Sequence, residues 1–283
     1  FEERISEIPL CKIFLDGEWI AATPQLEESL LPWRLPGKGV FETMRSYDGK
    51  IFALDAHLKR LAAGLKALGI RQTFSKAEIK KRLAENFIMN PFKNARIRLI
   101  IRQNKEKIHI SVAAQKHRPF AGRVYRKGFR FLVSSVRCRS GKRFCNVKSI
   151  RYELYLKAYQ EVLKRGGEEA ILLNKRREIT EASRSNIFIV KNGVVFTPAL
   201  VCGCLNGVTR GIVIQLAQKS GIPVKESKFF LKDLLKADEA FLTNSIMEIM
   251  PVSFCHGRPI GRGKPGPITK RLRVLYSRAT LGF

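Results

Sequence analysis

Two runs in the first fifty or so residues turn back on themselves, and they restrict the architecture more than any other feature of the chain. In "KIFLDGEWI" two short apolar segments flank Asp16-Gly17, and in "GVFETMRSYDGKIFAL" an alternating segment is interrupted at Asp48-Gly49. Asp-Gly tolerates the left-handed backbone of a tight hairpin loop, so both runs predict antiparallel strand pairs. Helices then follow these strands in a block. Asp55 is placed to cap a helix whose Leu58, Leu61, Leu65 and Leu68 recur at helical spacing up to Gly69. Ser75 and Glu78 have capping-box spacing at the head of a second helix, and "ARIRLIIRQ" with "KIHISVAA" reads as another strand pair.

Residues 115–128 lose this periodicity and carry Pro119, Gly122 and Gly128, the pattern of a connection between domains. The expected division is a small N-terminal α/β domain over 1–117, a linker over 118–128 and a larger C-terminal domain over 129–283. In the latter, "FRFLVSSV" predicts a strand, "RCRSGKRFCNVK" a loop and Tyr152 to Arg165 a helix. Strands follow at "EAILLN", "NIFIVKN" and "GVVFTP", then a helix entered through Gly207 and closed by Gly221, strands at "IPVKES" and "EAFLTNS", and a terminal helix in "PGPITKRLRVLYSRA". Strands and helices mix without a regular βαβ beat, which predicts an α+β protein of two domains and excludes a Rossmann sheet.

The 283 residues, 45% of them hydrophobic, suffice for a sizeable core. No run approaches the roughly 18 apolar residues of a membrane helix, and "FEERISEIPL" lacks a basic segment leading into an apolar one. A cytoplasmic location is therefore expected, and because the chain begins at Phe1 without Met, its true start is expected to be missing. Six cysteines show no paired framework, so reduced thiols are the default. "CGC" at Cys202–Cys204 has no second Cys or His pair at ligand spacing, so no metal site is expected. Fifty-three Lys and Arg against 24 Asp and Glu give +29, a charge that invites nucleic acid as a partner. The basic residues lie on helix faces, in turns and in the tail alike, however, with no patch interleaved with aromatics, and this argues against a nucleic-acid groove.

Four separated pieces carry the chemistry. In "VKSIRY", Lys148 ends an apolar approach, where desolvation lowers a lysine pKa and yields an amine able to attack a carbonyl. The plainer alternative is an exposed lysine ahead of a helix. In "ITEASRSNIFIV", Glu181 precedes small residues and a buried-looking strand, and a carboxylate there can hold a heteroaromatic N–H. It can equally be a turn glutamate paired with an arginine. "LNGVTRG" enters a helix through glycine and, with the hydroxyls of Thr209 and of Ser245 in "LTNS", offers donors to a phosphate, although any capped helix looks similar. Arg60 in "HLKRL" lies three residues from His57 on the first helix, as a phosphate clamp or as a surface residue.

A lysine for a Schiff base, a carboxylate for a ring nitrogen, and helix amides with an arginine for a phosphate are together what pyridoxal 5′-phosphate (PLP) requires. The sequence also resembles the class IV aminotransferases, the fold type IV PLP enzymes, through "GKGVFETMRSYDGKIFALDAHLKRL", "VKSIRY", "EEAILLNKRREITEASRSNIFIVKNGVVFTP", "LNGVTRGIVIQLA", "ADEAFLTNSIMEIMPV" and "GPITKRL", in that order over nearly the whole chain. The resemblance implies that Lys148 forms the Schiff base and that Glu181 pairs with the pyridine nitrogen. It further implies that Arg60, Val208, Thr209 and Ser245 contact the phosphate, and that the Tyr152 hydroxyl approaches the cofactor's 3′-oxygen. Arg98 in "RIRLII" matches a basic position that in relatives meets a substrate carboxylate. The implied fold has a small N-terminal α/β domain and a larger barrel-like C-terminal one with the cofactor between them, in a homodimer acting on an amine that carries a carboxylate.

The same resemblance separates two chemistries, transamination and the release of pyruvate and 4-aminobenzoate from 4-amino-4-deoxychorismate on the way to folate. Branched-chain aminotransferases typically have a glycine-rich run after the lysine and one more residue before the tyrosine, whereas "KSIRY" is compact, as in the lyases and D-amino-acid aminotransferases. "FETMR" resembles those two groups, and "FLTNSIMEIMPV" resembles the lyases. Arg151 departs from both, standing where asparagine is usual. The expected function is aminodeoxychorismate lyase, with transfer between branched-chain or D-amino acids and 2-oxoglutarate as the alternative. A basic nucleic-acid-binding protein that kept the fold without the chemistry is the rival from another class.

Overall fold

The computed structural model describes residues 11–138 and 146–282, which fall into two compact units. The first comprises the described residues up to Arg118 together with Lys148–Arg151, and the second holds the rest. Cys145 and most of the loop expected between the seventh strand and the next helix lie outside the described residues.

The first unit is built on the strands β1 (Lys12–Leu15), β2 (Glu18–Ala21), β3 (Lys38–Tyr47), β4 (Lys50–Ile51), β5 (Ala95–Asn104) and β6 (Lys107–Lys116), with helices α1 (Pro24–Ser29), α2 (Leu54–Ala67) and α3 (Lys76–Met89). The sheet runs β2-β1-β6-β5-β3-β4 and is antiparallel throughout. Both hairpins form where Asp-Gly predicts them, with Asp16 and Asp48 at φ 51° and 46° and the following glycines at 122° and 83°. Alternation along β3 and β5 puts Val40, Glu42 and Met44 with Ile97, Leu99 and Ile101 on one buried face, against which α2 and α3 pack Leu58, Leu61, Leu65, Ile79 and Leu83. Ser75 and Glu78 make the expected capping box. Asp55 does not cap: Ala53 occupies that position at φ 53°, and Asp55 sits in the first turn, paired with Lys76 and Lys80 at 2.8 and 2.9 Å.

Lys148–Arg151 join this unit, in contrast to the division at residue 129, because their backbone pairs with β3. Phe41 N–H donates to Lys148 O at 2.9 Å, and Ile150 N–H to Gly39 O at 3.0 Å. Gly39 also lies close to its partner strand β5, since a Cβ there would lie 2.6 Å from the Arg102 side chain and 2.7 Å from Ile101 O.

The second unit holds α4 (Gly122–Lys127), β7 (Phe129–Cys138), α5 (Glu153–Lys164), β8 (Glu169–Asn174), β9 (Ile179–Ala182), β10 (Asn186–Lys191), β11 (Val194–Pro198), α6 (Val208–Lys219), β12 (Val224–Ser227), α7 (Leu231–Leu235), β13 (Glu239–Asn244), β14 (Glu248–Cys255), β15 (Arg258–Pro259) and α8 (Pro267–Leu281). Helix α4 falls inside the stretch read as linker. It ends at Gly128, φ 74°, where any Cβ would meet Ser253 Oγ at 2.4 Å. The mixed sheet runs β12-β11-β10-β13-β14-β7-β8-β9, with β15 on β14. Its last strand, β9, lies against β10 and β11, so the sheet curls back into the barrel-like form expected. Phe129, Phe131, Ile171, Ile187, Leu242 and Met250 are among the buried residues of its core.

Candidate active site

In the first unit, Lys148 is held by the backbone pairing to β3, and its Nζ lies 4.5 Å from the centroid of the Phe41 ring. Phe41, more than a hundred residues away in sequence, thus places an aromatic face beside this lysine. One position along β3 the side chains point to the opposite face, where Glu42 is 1% exposed. Its carboxylate accepts from Arg60 Nε at 2.8 Å and Nη2 at 2.5 Å, and lies 2.8 Å from His57 Nδ1. Burial by itself would raise this carboxyl, but the charge and hydrogen bonds of Arg60, with His57, hold it at about 2. His57 is pushed below its usual range, chiefly by burial, which favours the neutral ring despite the pull of Glu42. Arg60 is therefore no surface residue: two of its nitrogens are committed to Glu42. Glu42 itself escaped the sequence reading, although a carboxylate between Val40 and Met44 on an apolar face was the available signal.

On the opposite face, Arg96 and Arg98 line one pocket with Ile100, Ser111, Ala113, Gln115 and, from α1, Glu27. Gln115 Nε2 donates to Glu27 Oε2 at 2.9 Å. Arg98 Nε is buried with no hydrogen-bond partner among the described residues. Burial, reinforced by the neighbouring Arg96, draws its pKa down to about 10, so the side chain remains a cation with unmet donor capacity.

In the second unit, Glu181 lies inside β9, a strand the sequence reading folded into the approach to the next one. It is 4% exposed. Tyr155 Oη donates to its Oε1 at 2.9 Å, and Leu205 N–H to its Oε2 at 3.0 Å. Tyr152 precedes α5 and donates its hydroxyl proton to Ser183 O at 2.5 Å, which commits that proton to the protein backbone. Val208 and Thr209 open α6, and Thr209 is buried. No side chain caps this helix, so its first N–H groups present the positive end of a twelve-residue dipole. Gly207 is required there, since a Cβ would meet Asn186 Oδ1 at 2.0 Å. Thr243 pairs with Asn186 across β13 and β10 and shares its face. Its Oγ1 is buried without a hydrogen-bond partner among the described residues, as is Ser185 Oγ. Ser245 follows at the end of β13 and is half-buried.

These donors fit a ligand that carries both a heteroaromatic N–H and a phosphate. Leu205, which fixes Glu181, is three residues from Val208, which opens α6, a separation of at most roughly 10 Å along even a fully extended chain. The buried carboxylate and the open helix end are thus within the length of one small molecule. No cluster of His, Cys, Asp and Glu able to hold a metal is found among the described residues.

With this fold and these residues, the chain belongs to the class IV aminotransferases: the sequence profile described as Amino-transferase class IV matches residues 39–255. Among its relatives, the branched-chain-amino-acid aminotransferase of Pseudomonas aeruginosa is 31% identical over 93% of this chain and 91% of its own. The aminodeoxychorismate lyase of Bacillus subtilis is 33% identical over 86% of each, and the D-alanine aminotransferase of Bacillus licheniformis is 30% identical over 87% of this chain and 88% of its own. A crystal structure of the T.th. branched-chain amino acid aminotransferase with pyridoxamine 5′-phosphate superimposes with a TM-score of 0.87 at 28% identity, covering 98% of this chain and 96% of that one. The chain is accordingly an enzyme of the α+β, fold type IV class.

Proposed function

We propose that this enzyme uses PLP to release pyruvate and 4-aminobenzoate from 4-amino-4-deoxychorismate. The observation that carries the cofactor assignment is the short span joining the Glu181 carboxylate, through Leu205, to the uncapped start of α6. Glu181 would hold the ring N–H. The α6 amides, Thr209 and Ser245 would hold the phosphate, with Arg60 adding positive charge. When bound, the cofactor supplies a protonated ring that withdraws electrons from the carbon next to the substrate nitrogen. Lys148 Nζ would be the covalent anchor and the general base that takes the Cα proton; as the ring C–O bond to the enolpyruvyl group breaks and the ring becomes aromatic, the proton would pass to the methylene carbon of that group, which leaves as pyruvate. The Phe41 ring beside it, 4.5 Å from Nζ to the centroid, helps to fix the position of the amine.

Arg96 and Arg98 would receive substrate carboxylates. Two guanidinium groups in one pocket suit a substrate with two carboxylates, which aminodeoxychorismate has, as does the 2-oxoglutarate of the alternative; the lyase among the relatives, at 33% identity, supports the first reading. The branched-chain and D-alanine aminotransferases among the relatives support the second reading, amine exchange with 2-oxoglutarate. No helix among the described residues is long and apolar enough to cross a membrane; the proposal places the enzyme in the cytoplasm as a homodimer. The test supplies PLP-loaded protein with aminodeoxychorismate and, separately, with leucine or D-alanine plus 2-oxoglutarate. Formation of 4-aminobenzoate without keto-acid exchange supports the lyase, and the reverse refutes it.

A further inference from the structure

Tyr155 belongs to no motif singled out in the sequence, yet its hydroxyl is directed at the carboxylate on which the cofactor assignment rests. Its ring packs on the buried cluster of Cys138, Ala158, Val162, Ala170 and Leu172. It also stacks on Tyr152, centroids 4.9 Å apart at 21°, so it has little room to choose another rotamer. The two stacked hydroxyls then diverge, Tyr152 to the Ser183 carbonyl and Tyr155 to Glu181 Oε1. With Leu205 N–H on Oε2, each oxygen of Glu181 has one fixed donor. Burial, together with the Glu181 charge, pushes the Tyr155 phenol well above its ordinary pKa, so it is a proton donor throughout the neutral range.

We infer that Tyr155 is a positioning residue for PLP, acting through Glu181. Its O–H fixes the carboxylate rotamer and, by stabilising the anion, makes Glu181 the weaker base. A proton shared between Glu181 and a pyridine nitrogen then stays on the nitrogen, the form in which the ring withdraws electrons. A hydrogen bond to a charged group is worth more than a neutral one, so its loss should be visible in cofactor affinity.

The inference rests on the PLP assignment, and a double-mutant cycle separates the two. PLP is titrated into wild type, Tyr155→Phe, Glu181→Gln and the double variant, with the dissociation constant and the cofactor's visible absorbance band as readouts. Tyr155→Phe should weaken binding roughly tenfold and change the ratio of protonated to unprotonated bands. In the Glu181→Gln background the same change should have almost no effect, since the partner charge is gone. An equal penalty in both backgrounds, or none in either, overturns the inference while leaving the cofactor assignment standing. Wild type that binds no PLP overturns both. If Tyr155→Phe does not fold, incorporation of 3-fluorotyrosine, which keeps the ring and makes the phenol a stronger acid, should shift the ratio of bands in wild type and leave it unchanged in Glu181→Gln; no shift in wild type overturns the inference.

Discussion

Replacing Glu42 by Gln removes one charge from a buried triad while keeping its shape. The carboxyl is held at about 2 against an ordinary 4.5, and at about 1.4 kcal/mol per pKa unit the ionised form stabilises the fold by on the order of 3 kcal/mol at pH 7. Because the folded-state value is the lower one, that stability is fully present above the unfolded pKa and is lost as pH falls towards 2. At pH 3, partway down, only about 1 kcal/mol of it should remain. Urea unfolding of wild type and Glu42→Gln in parallel measures the difference at each pH and cancels the other titrating groups. The gap should be about 3 kcal/mol at pH 7 and shrink to about 1 kcal/mol at pH 3. A gap that does not change with pH would show that the triad is stabilised by shape and not by charge, and would refute the reasoning.

Other expectations follow from single contacts. Gly207→Ala forces a Cβ to within 2.0 Å of Asn186 Oδ1 and should cost about 1–3 kcal/mol, read as a lower melting temperature; an unchanged melt would show that the β10 side chain yields freely. Burial, with the Glu181 charge beside Cys204, pushes the Cys204 thiol up to about 12, and burial pushes Cys255 to about 11. At pH 8 both should alkylate at least about a hundredfold more slowly than an ordinary thiol until the protein is unfolded, as followed by peptide mass mapping. Rapid labelling of either in the native protein would contradict their placement. Arg98→Gln should raise KM for a dicarboxylate substrate far more than it changes kcat, because its unmet N–H donors act in binding; an equal loss in kcat would place it in the chemistry.

The local elements were legible where one residue pair or period decides them. Asp16-Gly17, Asp48-Gly49 and the Ser75–Glu78 box each act within four residues, and all three form as read. Strand β9 gave no such signal, since all four of its residues are buried and nothing alternates. Strand β14 has only two residues that are not buried. The cap at Asp55 failed because the preceding loop adopts a left-handed Ala53 and begins the helix two residues earlier. At the site, Lys148, Glu181 and the glycine entry to α6 could be proposed because each sits in a distinctive stretch. What each one touches could not. Glu42 meets Arg60 across 18 residues and Tyr155 meets Glu181 across 26. Lys148 reaches its place by pairing with β3, a tertiary contact that no window on the sequence contains.

The central claim is that one lysine among 53 basic residues anchors PLP. Incubation with PLP, reduction with borohydride and peptide mapping by mass spectrometry test it directly. The account predicts a phosphopyridoxyl group on the peptide containing Lys148, and no adduct together with loss of the visible band in Lys148→Ala. A reduced adduct carried mainly by any other lysine, or an unchanged band in that variant, would contradict it.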